Sequence, residues 1–317
     1  MDAMTDLRLD APFLLGRAAA LQQVLRAARL VAATDVTVLI QGESGTGKEL
    51  LARFVHAGSA QAAGPFVAIN CAAIPDQLLE SELFGYRRGA FTGATQDYAG
   101  RIRAAAGGTL FLDEIGELSL MAQAKLLRFL ESGEIHPVGE ARPVTVRTRL
   151  IAATHRNLLQ LVREQRFRAD LYYRLQVVPL EMPPLRERLE DIPLLFAHYA
   201  AEAAARYGRP CVSLDRRALA RLTAYAWPGN VRELKNLCER LTVLHGEAGV
   251  PLGPECLPAE FAEAVPAAGE SLGLFAAERR LIEEALQQAR GNRSQAARLL
   301  GISRDTLLYR LKKYALA

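Results

Sequence analysis

The residues Gly42-Glu43-Ser44-Gly45-Thr46-Gly47-Lys48 follow the apolar run Val36-Thr37-Val38-Leu39-Ile40 and precede the helix-forming stretch Leu50-Leu51-Ala52-Arg53-Phe54-Val55. Strand, glycine-rich loop, then helix is the setting a nucleotide phosphate loop needs. The glycines let the backbone bend until successive N–H groups point inward at phosphate oxygens. The new helix adds its partial positive charge, and Lys48 adds a full one. Glu49 stands where Ser or Thr usually offers a hydroxyl to Mg²⁺. The metal must then rely more on phosphate oxygens, water and other carboxylates. The loop reads as an ATP site.

A second group of reactive residues ends the run Thr109-Leu110-Phe111-Leu112: the carboxylates Asp113 and Glu114. At the C-terminal edge of a strand they face the crevice where open α/β sheets bind ligands. Asp113 is suited to hold the hydration shell of Mg²⁺, and Glu114 to orient an attacking water. Phosphoryl transfer also needs positive charge on the γ-phosphate. Arg168 and Arg174 lie in Phe167-Arg168-Ala169-Asp170-Leu171-Tyr172-Tyr173-Arg174. From the residues alone, local pairing with Asp170 or Glu164 is the favoured reading of both. Arg232, in Trp227-Pro228-Gly229-Asn230-Val231-Arg232-Glu233, starts a helix that could bring it to the nucleotide.

Between Leu83 and Thr109 lies the loop Gly89-Ala90-Phe91-Thr92-Gly93-Ala94, with a single aromatic among small residues. Either Phe91 folds back on the core or it is offered to a partner. The residues by themselves favour the fold-back. The C-terminus reads as a helix-turn-helix: Asn292–Leu300, a turn at Gly301-Ile302, and Ser303 as N-cap of a second helix. Leu307, Leu308 and Leu311 mark its packed side. Arg293, Ser303, Arg304, Thr306, Tyr309, Arg310, Lys312 and Lys313 are the candidate DNA contacts. The residues at the start of the second helix would read bases, and the later basic ones would hold phosphates. A basic hairpin that binds protein is the alternative. Small Ala296 and Gly301, at close helix crossings, favour DNA.

These groups need a scaffold. Five β-rich runs, 36–41, 66–70, 109–112, 148–154 and 177–180, are apolar throughout and separated by helical stretches. That pattern predicts parallel strands covered on both faces, a three-layer α/β domain over 13–180 behind a short tail at 1–12. From 181 to 248 the reading is all-helical, a small lid with helices at 190–206, 215–225 and 230–245. Pro251, Pro254, Pro258 and Pro266 mark 249–272 as a linker. Helices at 274–289, 293–300 and 303–314 then form an all-α domain over 273–317.

Charge divides along the same line. Residues 273–317 carry nine Lys/Arg against four acids, a net +5, which leaves −1 for the rest of a chain whose formal charge is +4. A polyanion partner for the C-terminus alone is the natural reading. Cys71, Cys211, Cys238 and Cys256 have no metal-ligand spacing and are expected to be reduced. With no signal peptide and no run of about eighteen apolar residues, the chain is expected to be cytoplasmic, away from membranes.

Three segments together, Gly-Glu-Ser-Gly-Thr-Gly-Lys-Glu (42–49), Gly-Ala-Phe-Thr-Gly-Ala (89–94) and Gly-Gly-Thr-Leu-Phe-Leu-Asp-Glu (107–114), resemble the sigma-54-dependent transcriptional activators. These are bacterial enhancer-binding proteins of the AAA+ class of P-loop NTPases. Phe-Arg-Ala-Asp-Leu-Tyr-Tyr-Arg-Leu (167–175) and Trp-Pro-Gly-Asn-Val-Arg-Glu-Leu (227–234) match the same family, and the C-terminus resembles its Fis-type helix-turn-helix. The likeness spans about 13–317, and the 89–94 hexapeptide is nearly private to the family.

The resemblance implies a ring, usually a hexamer, with ATP at subunit interfaces. Lys48 would bind the β- and γ-phosphates, Asp113 the Mg²⁺ and Glu114 the hydrolytic water. Asn70 would be the switch that holds Glu114 back until the γ-phosphate is sensed. Arg168 and Arg174 would be fingers donated to the neighbouring subunit, and Arg232 the sensor in the lid. Thr154 and His155 would sense nucleotide, with His155 where many members have Asn. Phe91-Thr92 would be the loop tip that grips sigma-54. Glu49 is the family's own version of the phosphate loop. Pro137 falls where a second loop commonly has Arg.

Most members carry an N-terminal regulatory domain, and here about a dozen residues precede the ATPase. Regulation by a partner in trans, or activity whenever expressed, is therefore expected. The implied function is to bind enhancer DNA and remodel the closed complex of sigma-54 RNA polymerase. A conventional repressor would not need the 89–94 loop, and a AAA+ motor with other targets would not need a site-specific DNA-binding end.

Overall fold

The computed structural model describes residues 14–91, 93–140, 142–247 and 249–262, and in the C-terminal part 282, 285, 289, 292–300, 302, 306, 307 and 311. Five parallel strands form the central sheet: β1 (Val38–Gln41), β2 (Phe66–Asn70), β3 (Thr109–Asp113), β6 (Arg149–Thr154) and β7 (Val178–Glu181), in the order β2-β3-β6-β1-β7. Each lies within two residues of its expected position. A two-stranded hairpin, β4 (Glu134–Ile135) with β5 (Val144–Thr145), was not expected.

Strand side chains alternate between two cores. Leu39, Ile69, Leu110, Leu112 and Ala152 point to one face. There they meet α3 (Asp76–Phe84), α4 (Arg101–Ala104), α5 (Leu120–Ser132), α6 (Leu158–Arg163) and α7 (Ala169–Leu175). Val38, Ile40, Phe111, Ile151 and Ala153 point to the other, under α1 (Ala19–Ala32) and α2 (Lys48–Ala57). Because both faces are covered, the strands are apolar without alternation, which is what made them legible.

The lid is α8 (Ile192–Tyr207), α9 (Arg216–Ala224) and α10 (Asn230–His245), built around fully buried Trp227, whose indole N–H donates to the Leu222 carbonyl at 2.8 Å. The described part of the stretch read as a linker belongs to this core. Leu252, Leu257 and Phe261 are buried in it, and Leu252 bridges to Leu214. Phe261, in the short α11 (Ala259–Ala262), lies 5.4 Å from the Trp227 ring and 4.5 Å from Tyr225. Pro254 opens the short 3-10 turn Pro254–Cys256, so the proline there starts an ordered element.

In the C-terminal part, α12 (Arg293–Leu299) buries Ala296 and Ala297 against Ile282, Ala285, Ala289, Leu307 and Leu311. Among the described residues no helix is long and apolar enough to cross a membrane. Cys71 and Cys238 are buried free thiols, while Cys211 is exposed.

Candidate nucleotide site

The phosphate loop joins β1 to α2 at the C-terminal edge of the sheet. Gly47 just ahead of the helix has φ +101°, a left-handed conformation that costs glycine little. Gly45 is held for a different reason: a Cβ there would lie 2.4 Å from the Gly229 carbonyl oxygen. The lid therefore sits directly on the loop. Lys48 is buried, and its ammonium donates to the Gly42 and Glu43 carbonyls at 2.9 and 3.2 Å, 3.8 Å from Glu114 Oε1. Burial lowers its pKa, and the Glu114 and Asp113 carboxylates oppose that shift. Thr46 is buried and donates to the Glu43 carbonyl. Glu49 turns along its helix to Arg53, whose Nε and Nη2 both donate to Oε1.

Asp113 and Glu114 stand opposite the loop. Burial, then the neighbouring Glu114, raises the Asp113 pKa. Asp113 Oδ1 accepts from the Glu114 N–H at 3.1 Å, and Oδ2 from Asn70 Nδ2 at 3.5 Å. Among the described residues no three His, Cys, Asp or Glu side chains converge on a metal position. A single carboxylate beside a phosphate cradle suits Mg²⁺, which keeps several waters and takes phosphate oxygens as ligands.

One expectation changes here. Asn70 does not hold Glu114. The parallel register sets Asn70 directly opposite Asp113, and its amide reaches that residue, while its Oδ1 accepts from the Ala72 N–H. Glu114, at φ +54°, turns toward the end of β6. There its Oε2 accepts from the His155 backbone N–H at 3.2 Å and from His155 Nδ1 at 2.7 Å. Thr154 is fully buried; its carbonyl accepts from the Gly42 N–H and its hydroxyl from the Arg156 N–H.

The lid completes a cleft of about 680 Å³ lined by Ser44, Lys48, Asp113, Glu114, Tyr199 and Arg232 among others. Arg232 donates to Ser44 Oγ at 2.8 Å, which places its guanidinium against the phosphate loop. Two neighbours were missed from sequence. Asn230 is fully buried at φ +52°; its Nδ2 donates to Glu43 Oε2 and the Ser44 carbonyl, and its Oδ1 accepts from Leu185 N–H. Arg188 is buried and donates to the Thr46 carbonyl at 2.9 Å. The Arg186 fork on Glu43, then Asn230, lowers the Glu43 pKa. Asn between a glycine and a new helix looks like ordinary turn chemistry, so only the approach of the lid reveals its use.

Asn230→Ala leaves the buried Leu185 N–H and the loop without their partner, at a cost of about 1–3 kcal/mol per unsatisfied group. The closed cleft is then less populated, and apparent affinity falls with it. Calorimetric titration should find ATP binding weakened about 5- to 150-fold.

Arg168 forks onto Asp170 at 3.0 and 2.7 Å, and Arg174 donates to the Leu130 carbonyl at 2.9 Å. Neither is drawn to the phosphate loop of its own chain. In the 89–94 loop, Gly89 N–H donates to the Ala94 carbonyl, closing a tight ribbon. Phe91 is 40% exposed, its ring edge-on to Tyr86 at 4.9 Å, so the fold-back onto the core is not what happens. Thr92 lies outside the described residues. The ribbon is braced by the β4–β5 turn: Arg87 N–H donates to the Val138 carbonyl, Val138 N–H to Gly85, and Arg87 pairs with Asp97 and Glu140. Pro137 is buried in that turn. Of the candidate DNA contacts, Arg293 is exposed and Thr306 partly so; Ser303, Arg304, Tyr309, Arg310, Lys312 and Lys313 lie outside the described residues.

The family model of the Sigma-54 interaction domain matches residues 14–181. The chain belongs to this family. A AAA+ ATPase lid domain matches 186–272, which fits the packing of 252–262, and the Fis family of bacterial regulatory proteins matches 275–314. Among relatives of this Sigma-54 interaction family, the DNA-binding transcriptional regulator NtrC of Azospirillum brasilense is 46% identical, over 94% of this chain and 69% of the relative. Regulatory protein AtoC of Escherichia coli is 44% identical, over 96% and 68%. NtrX from Brucella abortus in complex with ATP superposes with a TM-score of 0.75 at 35% identity, over 95% of this chain and 69% of that one. Its complex with ADP gives 0.73. The AAA+ P-loop fold, the helical lid and the Fis-type C-terminus are thus shared features.

Proposed function

We propose that the protein is a sigma-54-dependent transcriptional activator. It binds enhancer DNA through its C-terminal part, assembles as a ring, and hydrolyses ATP to turn closed sigma-54 RNA polymerase complexes into open ones in the cytoplasm. The observation that carries this reading is the convergence of Lys48, Asp113, Glu114 and Arg232 on one cleft in a chain of the Sigma-54 interaction family. The NtrX structures with ATP and ADP support an adenine nucleotide as its occupant.

Each residue's part follows from its place. Lys48, resting on two loop carbonyls, exchanges them for β- and γ-phosphate oxygens. Glu114 takes the proton-accepting side of an attacking water. Asp113 would hold Mg²⁺, which when bound would neutralise phosphate charge. Arg232 carries the state of the nucleotide into α10, and so into the lid. Arg168 and Arg174 act on the neighbour's nucleotide, and the 89–94 loop passes the movement to sigma-54.

The deciding experiment is open-complex formation by purified sigma-54 holoenzyme, with and without this protein and ATP. ATP-dependent opening is expected. Hydrolysis without opening would point to a motor with other targets, and DNA binding without either to a repressor.

A further inference from the structure

We propose that the ion pair of Glu202 with Lys235, carried by the lid, reads the ribose hydroxyls of the nucleotide and makes the cleft discriminate against deoxynucleotides. The inference deepens the ATPase reading above and rests on it.

Four residues of the cleft, His198, Tyr199, Glu202 and Lys235, have no part in the phosphate chemistry, and all four come from the lid helices α8 and α10. Their place along the cleft follows from the phosphate loop. Lys48 and Glu114, 3.8 Å apart, mark the end where the γ-phosphate reacts. The α-phosphate falls at the other end, on the first N–H groups of α2, where Gly47, Glu49 and Leu50 line the cleft. The next unit of a nucleotide is its sugar. On the lid side Arg232 holds Ser44 Oγ, and Lys235 lies one helical turn further along the same face of α10.

A sugar hydroxyl both donates and accepts, so it is read by an acceptor and a donor side by side. Among the described residues four carboxylates line the cleft, and three are accounted for. Asp113 and Glu114 stand at the reacting end, and Glu49 is turned to Arg53. Glu202 remains. Its Oε1 accepts from Lys235 Nζ at 2.6 Å, while its Oε2 has no partner among the described residues. Lys235 spends one of its three N–H donors there, and its ammonium rests over the Tyr199 ring, 5.5 Å from the centroid. The pair thus offers one free acceptor beside spare donors, and both side chains are exposed enough for a ligand to reach.

Full-length wild-type protein, Glu202→Ala and Glu202→Gln are compared for hydrolysis of ATP, 2′-deoxy-ATP and 3′-deoxy-ATP. Wild type should show a KM for ATP about 10-fold below that for at least one deoxynucleotide. That is the lower end of what a hydrogen bond to a charged group supplies, as fits a pair open to solvent. In Glu202→Ala the KM for ATP should rise to the deoxynucleotide value, so that the preference vanishes. Glu202→Gln keeps an acceptor oxygen and should retain part of it. The ratio of KM values is the readout, because a lid that is merely loosened weakens all three nucleotides together. A Glu202→Ala protein that keeps the wild-type ratio therefore overturns the proposal. If wild-type protein hydrolyses none of the three, the ATPase reading falls and this one with it; equal KM for all three in an active wild type removes this one alone.

Discussion

Arg168→Ala or Arg174→Ala should leave nucleotide binding in place and slow hydrolysis by about 10³-fold, the effect of removing an arginine finger. Arg174 lines a cavity with Thr37, Gly108 and Thr148, the residues just ahead of β1, β3 and β6. The phosphate loop leaves the opposite end of β1. The sheet thus separates this guanidinium from its own chain's phosphate loop, the arrangement that action on another chain's nucleotide requires. Arg168 is exposed and already holds Asp170, a pair that solvent keeps cheap to break. The measurement is ATP turnover in mixtures of Arg168→Ala with Glu114→Gln protein. Each variant alone is defective, but a mixed interface can bring an intact arginine to an intact glutamate. Partial recovery that peaks at intermediate ratios is expected. No recovery at any ratio would count against action in trans.

Phe91→Ala and Thr92→Ala should keep hydrolysis within a few-fold of wild type, yet abolish open-complex formation and the capture of sigma-54 with ADP–aluminium fluoride. The motor's energy reaches a partner only through contacts that differ between nucleotide states. Deleting the gripping side chain removes those contacts and leaves the chemistry alone. A buried Phe91 would predict the opposite, with a core cavity costing about 3–5 kcal/mol. Instead its ring is 40% exposed and meets Tyr86 edge-on, a contact worth about 0.5–1.5 kcal/mol. A thermal melt run beside the ATPase assay separates the cases. A strongly destabilised Phe91→Ala protein that no longer hydrolyses ATP would end the coupling idea.

The five sheet strands and the phosphate loop were legible because each is a local pattern: an apolar run, then glycines at fixed spacing. What escaped depends on distant segments meeting. Glu134–Ile135 and Val144–Thr145 are too short to show alternation. Asn230 matters only because the lid lands on Glu43 and Ser44. The exchange of Asn70 for His155 beside Glu114 follows from strand register, which one sequence does not display. Phe91 went wrong for a related reason, since Tyr86 gives its ring a resting place outside the core.

The packing of Phe261 redraws where the catalytic unit ends. A cut after 248, natural if 249–272 were a tether, would strip Leu252, Leu257 and Phe261 from the lid and open the Trp227 face to water. Trp227 accepts the Asn230 N–H through its carbonyl, and Asn230 holds the phosphate loop. Such a cut would therefore loosen nucleotide binding from some distance away. The shortest chain that keeps the clamp whole runs through Ala262, so the lid's own core sets the boundary of the nucleotide-binding unit.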